Sequence, residues 1–414
     1  MRCTPVVRSL LGAGPRAARH PLRSVLEVTG PDAKKFLNGQ MCKNVDALGG
    51  GYSGFLNASG RVLHTVFCIP SRKNTYLISH ESGPDHPAGL MQLLPPFRLR
   101  AKIKLRDVSD EWDVWSAWGT EAAPEPTSTW RFGNGGAAER IWSWGEEGEG
   151  GPGGMGPPGM APLNLGAGEL GCWDLRAGFG PGGLGRQLFV PKGQRPSVLS
   201  SHELASSVEY DLRRMVLGVP EGSEIVPGTA LPLESDMDIH GGVDVRKGCY
   251  LGQELTVRTY HTGATRKRIL PVYLYPLADG PGGLATSPLS LESLDADLGS
   301  GPMVDLETLD SLSLAGATRS QVDITYTPPA SAASKKARSA GRLLTLSHAA
   351  PGIGLGLVRL EWAGRTWDGE GTLSVELGGT RWGVWVSKGE AYAAALAATP
   401  PPRVQDDEED MAHA

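Results

Sequence analysis

The chain has 414 residues and a formal net charge of −5, a balance that argues against a dedicated nucleic-acid binder, which carries a basic face. Glycine (57) and proline (32) make up about a fifth of it, against roughly 12% in average usage, so loops and inserts must surround the cores that a 40% hydrophobic content and 11 tryptophans can build. No stretch approaches 18 uninterrupted apolar residues, which excludes a membrane-spanning helix, and the length suggests two or three domains.

In chain order, residues 1–26 hold Arg2, Arg8, Arg16, Arg19 and Arg23, and the first acidic residue is Glu27. Val6, Val7, Leu10, Leu11 and Leu22 are scattered among them without a continuous apolar core. This is the composition of a mitochondrial transit peptide rather than of a secretory signal, and residues 1–23 are read as that leader. A merely basic tail is the blander reading. Cys3 would leave with the leader. Cys42, Cys68, Cys172 and Cys249 are far apart and form no C-x-x-C pair, so neither a zinc site nor a disulfide framework is expected.

A strand is predicted over Ser24 to Thr29, then a helix entered through Gly30-Pro31-Asp32, with Phe36 and Leu37 facing a core and Gly39 ending it. Tyr52 to Leu56 and Arg61 to Cys68 read as a hairpin around a turn at Asn57-Ala58-Ser59-Gly60. Ala101, Ile103 and Leu105 alternate with Lys102, Lys104 and Arg106, the pattern of a strand with one buried face. Another strand-like run contains Trp112, Val114 and Trp118. Residues 144–170 are Gly/Pro-rich without a three-residue period and read as a flexible insert.

Ser200 to Leu217 reads as a helix, with capping-box spacing at Ser200 and Glu203 and an apolar stripe of Leu204, Val208, Leu212 and Met215. Strand-like runs follow over about 269–275 and 341–388, separated by a polar insert at about 280–340. The acidic tail from 397 to 414 is expected to be disordered. The order favours an α+β region over 24–268 and a β-rich C-terminal domain over 269–396.

Chemistry concentrates in Val243 to Arg268. A lone cysteine is most often a small buried hydrophobe. Here Arg246 and Lys247 precede Cys249, Gly248 allows tight backbone geometry, and a helix is expected to start near Gly252. Cations and a helix N-terminus favour the thiolate, which is the form that binds soft metals and iron–sulfur clusters. Such clusters take about four ligands, so a single thiolate needs others from a partner or a small molecule.

Lys247 to Glu254 (KGCYLGQE) resembles the K-G-C-Y-x-G-Q-E signature of the YgfZ-type proteins, relatives of the folate-dependent aminomethyltransferase (GcvT) of glycine cleavage. Gly218 to Gly222 and Leu231 to Ser235 resemble its eukaryotic branch, mitochondrial iron–sulfur assembly factors that act late in 4Fe–4S maturation with A-type scaffold proteins. Residues Gly30 to Gln40, Gly54 to Val62, Arg98 to Asp107, Thr262-Gly263, Arg266 to Arg268 and Gly354 to Leu360 continue the match. The resemblance implies an α+β cloverleaf of folate-binding-type domains with a C-terminal β-barrel, and a place in the mitochondrial matrix. It implies that Cys249, with Lys247 beside it, is the functional thiol and one ligand of a 2Fe–2S cluster shared with an A-type scaffold. Gly248, Tyr250, Gly252, Gln253 and Glu254 complete the signature loop. Asn57, Arg61 and Arg258 are candidate contacts for tetrahydrofolate or another ligand.

Two departures separate the chain from the aminomethyltransferases. Thr65 and Val216 stand where those enzymes carry carboxylates for acid–base chemistry and folate anchoring. The reading therefore leans away from an enzyme. A tetrahydrofolate-dependent one-carbon transferase and a non-catalytic folate-binding module are the alternatives. Cys42, Cys68 and Cys172 read as structural, Glu254 and Arg258 as an i, i+4 pair, His261 as a polar loop residue, and Arg266 to Arg268 either as a basic patch for an acidic partner or as a solvated strand start.

Overall fold

The computed structural model describes residues 14–45, 49–83, 88–145, 160–277, 322–329, 331–332 and 336–400. The described residues form two five-stranded sheets, a separate hairpin and a closed barrel. One sheet runs in the order β10 (Leu170–Trp173), β11 (Arg186–Pro191), β7 (Trp112–Trp118), β1 (Arg16–Arg19), β12 (Glu203–Ala205). Strand β1 lies within the segment read as a leader, residues 1–23. Arg16 to Arg19 pair with β7 on one side and β12 on the other, Ala17 and Ala18 are fully buried, and Arg19 meets Asp113 at 2.7 Å. Those arginines look like a targeting signal because their acidic partners, Asp113 for Arg19 and Glu209 for Arg16, lie about a hundred and almost two hundred residues downstream. Residues 1–13 of the expected leader lie outside the described residues.

The second sheet has the order β3 (Gly51–Leu56), β4 (Val62–Arg72), β5 (Thr75–Glu81), β2 (Arg23–Thr29), β6 (Lys104–Asp107). Helix α1 (Ala33–Asn38) lays Phe36 and Leu37 on it, as the pattern predicts, and Ile103 is buried ahead of β6. A short helix, α2 (Leu90–Leu93), follows β5. Strands β8 (Thr127–Phe132) and β9 (Ala138–Ser143) form the hairpin.

The β-rich C-terminal domain closes as β13 (Lys267–Pro276), β16 (Ile353–Arg359), β15 (Arg338–Leu346), β14 (Val322–Thr327), β17 (Thr372–Leu377), β18 (Thr380–Val386). Closure removes exposed sheet edges. It needs β14, which lies in the stretch read as a polar insert; Ile324 and Tyr326 give it a buried face. Two inserts are thereby shortened. In the Gly/Pro-rich one, Met160, Ala161 and Leu163 pack with Trp144 and Trp173.

The helix predicted over Ser200 to Leu217 starts later. Helix α3 (Ser207–Val216) has its capping box at Ser206 and Glu209, and Leu204 and Val208 are exposed rather than core-facing. Glu203 to Ala205 pair with β1, so strand pairing overrides the earlier capping signal. Helix α4 (Gln253–Thr262) follows the signature loop, α5 (Leu360–Trp367) interrupts the run read as strands, and α6 (Glu390–Ala398) covers the barrel.

The two sheets meet at a buried ionic junction. Arg176 stacks on Tyr52 and Phe67, with its guanidinium 2.6 Å from both Asp174 and Glu221. Arg23 reaches Glu81 at 2.9 Å and Glu221 at 3.0 Å, and Arg214 reaches Glu224 at 2.6 Å. Burial alone would raise the Glu221 carboxyl, but Arg176, Arg23 and Arg214 hold it well below the usual range.

His80 is also buried, and desolvation, with His64 beside it, pushes its pKa down to about 4. It stays neutral in the folded chain while the unfolded chain takes a proton below about 6.5. Its contribution to stability is full above that pH and is lost as the pH falls towards 4. Glu81 and Glu224, whose carboxyls are raised mainly by burial, act in the opposite sense, so the test is a difference. Urea unfolding of wild type and His80→Gln between pH 6.5 and 4.5 should show wild type losing up to about 1.4 kcal/mol per pH unit more than the variant. Parallel pH profiles would refute this.

Candidate functional site

The site is built where two turns interlock. The β3–β4 turn is tied by Asn57, whose Oδ1 accepts from the backbone N–H of Ser59 at 3.1 Å and of Arg61 at 2.9 Å. Gly60 in that turn has φ +77°, and so does Gly252 at the start of α4. A Cβ on Gly252 would lie 2.2 Å from the Asn57 carbonyl oxygen, and one on Gly60 would lie 2.9 Å from the Leu255 Cβ. Only glycine lets the two backbones touch.

From there the signature loop is pinned on both sides of Cys249. Gln253 accepts from the Tyr250 N–H at 3.2 Å, Leu251 N–H donates to the Gly39 carbonyl at 3.0 Å, and Tyr250 is buried. Upstream, Asp244 Oδ1 accepts from the N–H groups of Arg246 and Lys247, both at 3.1 Å. Lys247 Nζ donates to the carbonyl of Asn38, the last residue of α1, at 2.8 Å and to that of Met41, just past it, at 2.6 Å, and lies 4.9 Å from the Tyr250 ring centre. Burial lowers the Lys247 pKa to about 8 and raises the Cys42 thiol below it to about 12. Gly248 and Cys249 are exposed between these anchors.

The geometry changes several roles. Lys247 holds the loop by donating to carbonyls. Gly248 is not required by the backbone: its φ is outside the left-handed region and a Cβ there would meet nothing within 4 Å. Gln253 does hydrogen-bond the loop, whereas Glu254 and Arg258 are both exposed on α4. Asn57 closes its own turn, and Arg61 donates to the Thr229 carbonyl at 2.8 Å. Thr65 is buried in β4, and Val216 lies in an apolar cluster with Leu212, Ala350 and Ile353. His261 is exposed. Arg268 is no part of a surface patch: it is fully buried against Asp236 and Asp238. Cys42, Cys68 and Cys172 are buried.

The supports at Asn38, Met41 and Asp244 escaped the sequence reading. Asp244 three residues before Lys247 is an Asx-turn signal that could have found one of them. Chemically, the arrangement presents one soft ligand on a rigid loop. Among the described residues no group of three or more His, Cys, Asp or Glu is placed to hold a metal ion.

No family model matches the chain. It is 53% identical over 402 residues to the mitochondrial iron–sulfur cluster assembly factor IBA57 homologue of Cryptococcus neoformans, covering 93% of this chain and 98% of the relative. The chain belongs to the IBA57 family. The Neurospora crassa homologue is 34% identical over 353 residues, covering 82% of this chain and 68% of that one. The relatives are named as mitochondrial proteins, and this member of the IBA57 family is mitochondrial like them. The glycine cleavage aminomethyltransferase T of Bartonella henselae matches in structure with a TM-score of 0.54 at 11% identity, covering 94% of this chain and 90% of that one. The expected fold class, an aminomethyltransferase-like α+β assembly with a C-terminal barrel, is therefore the observed one.

Proposed function

We propose that the protein is an iron–sulfur cluster assembly factor of the mitochondrial matrix that acts late in 4Fe–4S maturation. Cys249 supplies one thiolate to a 2Fe–2S cluster shared with an A-type scaffold partner. The observation that carries this is an exposed thiol on a loop fixed by Lys247, Tyr250 and Gln253. A cluster takes about four ligands, and this chain offers one at the loop, so the others come from the partner or a small molecule. Thr65 and Val216 weigh against one-carbon transfer, since neither offers a carboxylate for acid–base work. The arginine-rich segment over residues 1–23 supplies the mitochondrial targeting in this reading.

The test is anaerobic absorption and EPR of the protein mixed with an A-type scaffold and a 2Fe–2S source. Cys249→Ser should abolish the shared-cluster spectrum. Because Cys249 is exposed, the variant should keep its stability within about 0.5 kcal/mol. Equal cluster retention by wild type and variant would overturn the proposal.

A further inference from the structure

A second surface lies at the other end of helix α1. Residues Pro95 to Arg100 are six consecutive exposed positions, PPFRLR, in which two apolar side chains alternate with two arginines. Phe97 is 41% exposed and Leu99 88%, with Met91 on α2 nearby in sequence at 41%. Leu99 has φ +44°, a conformation that leucine holds only where the surrounding structure imposes it, and such residues concentrate at functional surfaces.

The fold gathers cations around this loop. Ala101 N–H returns to the Arg98 carbonyl, and Lys102 N–H donates to Asp32 at the start of α1 at 2.7 Å. Gly30 packs on the Lys102 carbonyl, and its N–H donates to the Asn74 carbonyl, which brings in the β4–β5 turn with Lys73. Lys104 pairs in register with Thr29. Arg98, Arg100, Lys102, Lys104, Lys73 and Lys35 are all exposed. In a chain of net charge −5 this is a local concentration of positive charge, with the Asp32 carboxylate spent on a backbone N–H.

Its position matters. Asp32 at the start of α1 binds this basic corner, and Asn38 at its end binds Lys247 of the signature loop. The six-residue helix, roughly 9 Å long, spans the two anchors. Lys35 is exposed on the helix between them.

We propose that this corner is the docking surface for the protein that shares the cluster at Cys249, and that the partner presents an acidic face with an apolar recess for Phe97 and Leu99. The inference rests on the cluster-sharing reading and adds to it the surface and the partner's chemistry. Cations at the rim steer association, and apolar side chains inserted at the centre slow dissociation. The link through α1 to the Cys249 loop favours a protein over an anionic lipid surface, because a membrane gains nothing from the thiol.

The experiment measures association of the full chain with a 2Fe–2S-loaded A-type scaffold between 50 and 500 mM salt. Arg98→Glu/Arg100→Glu should lower the association rate about tenfold or more at low salt, with the difference closing at high salt. Phe97→Ser/Leu99→Ser should raise the dissociation rate about tenfold at all salt concentrations. All four side chains are exposed, so thermal melts should match wild type. Association equal to wild type in both variants overturns the docking surface. Binding of wild type, but not of Arg98→Glu/Arg100→Glu, to phosphatidylcholine vesicles containing 30% cardiolipin, without any effect on the scaffold, also overturns it and assigns the corner to lipid. Cys249→Ser separates the two proposals. If it docks as wild type does but loses the cluster spectrum, both stand. If it docks and keeps the spectrum, the cluster-sharing reading fails while the docking surface is still judged by its own variants.

Discussion

Replacing Arg268 by methionine is expected to destabilise the protein by about 3–5 kcal/mol, the range found when one partner of a buried ion pair is removed. Arg268 is fully buried at the start of the barrel. Its Nη1 donates to Asp236 at 2.8 Å, Asp238 at 2.9 Å and the Leu233 carbonyl at 3.0 Å; its Nη2 donates to Asp238 at 2.8 Å and the Gly136 carbonyl at 3.0 Å. The guanidinium also lies over the Tyr392 ring of α6. One side chain thus ties the barrel to the 233–238 segment, to the β8–β9 turn and to the last helix. Methionine fills similar volume but leaves two buried carboxylates facing each other. Burial raises the Asp236 carboxyl, and methionine removes the cation that offsets this penalty. Urea unfolding measures the loss. Adding Asp236→Asn and Asp238→Asn should recover part of it, because these residues form one network and their effects do not add. A single variant that unfolds like wild type would refute the account.

The same arginine shows what a sequence reveals and what it hides. The run Arg266-Lys267-Arg268 is indistinguishable from a basic surface patch until β13 places Arg268 inward, because burial is set by partners some thirty residues upstream. Likewise Arg16 and Arg19 look like leader residues until Asp113 and β7 are found beside them. Local patterns did better. The β3–β4 hairpin and its Asn57 turn, the core face of α1 and the start of α4 at Gly252 were legible because each is decided within ten or so residues. Helix α3 began six residues late since the Ser200 to Glu203 signal lost to pairing with β1, a contact almost two hundred residues away in the chain. At the site, Cys249 and its loop stood out by type and motif. The role of Lys247 did not, because its acceptors are carbonyls at the end of a distant helix, and a carbonyl has no letter in a sequence.

The two glycines flanking Cys249 should therefore behave in opposite ways. Gly252→Ala places a side chain at φ +77°, which costs about 1–2 kcal/mol for an L-residue. It also places a Cβ at 2.2 Å from a backbone oxygen of the opposing turn. That oxygen belongs to a turn held by the Asn57 side chain, so relief must come from separating the two turns. The combined loss is expected to reach about 3 kcal/mol, at the upper end of ordinary point substitutions. The displaced loop should also release Tyr250 and Leu251 from their hydrogen bonds, moving Cys249 and weakening cluster retention in the surviving folded fraction. Gly248→Ala meets open space at an ordinary φ, so its stability should stay within about 0.5 kcal/mol of wild type or rise slightly as the unfolded chain loses freedom. Denaturant unfolding of the two variants decides the point, and the rate at which a thiol reagent labels Cys249 reports the loop itself. Gly252→Ala should change that rate by several-fold, and Gly248→Ala should change it little. If both variants unfold at the wild-type midpoint, the interlocked turns do not hold the thiol, and the rigidity assigned to this loop is wrong.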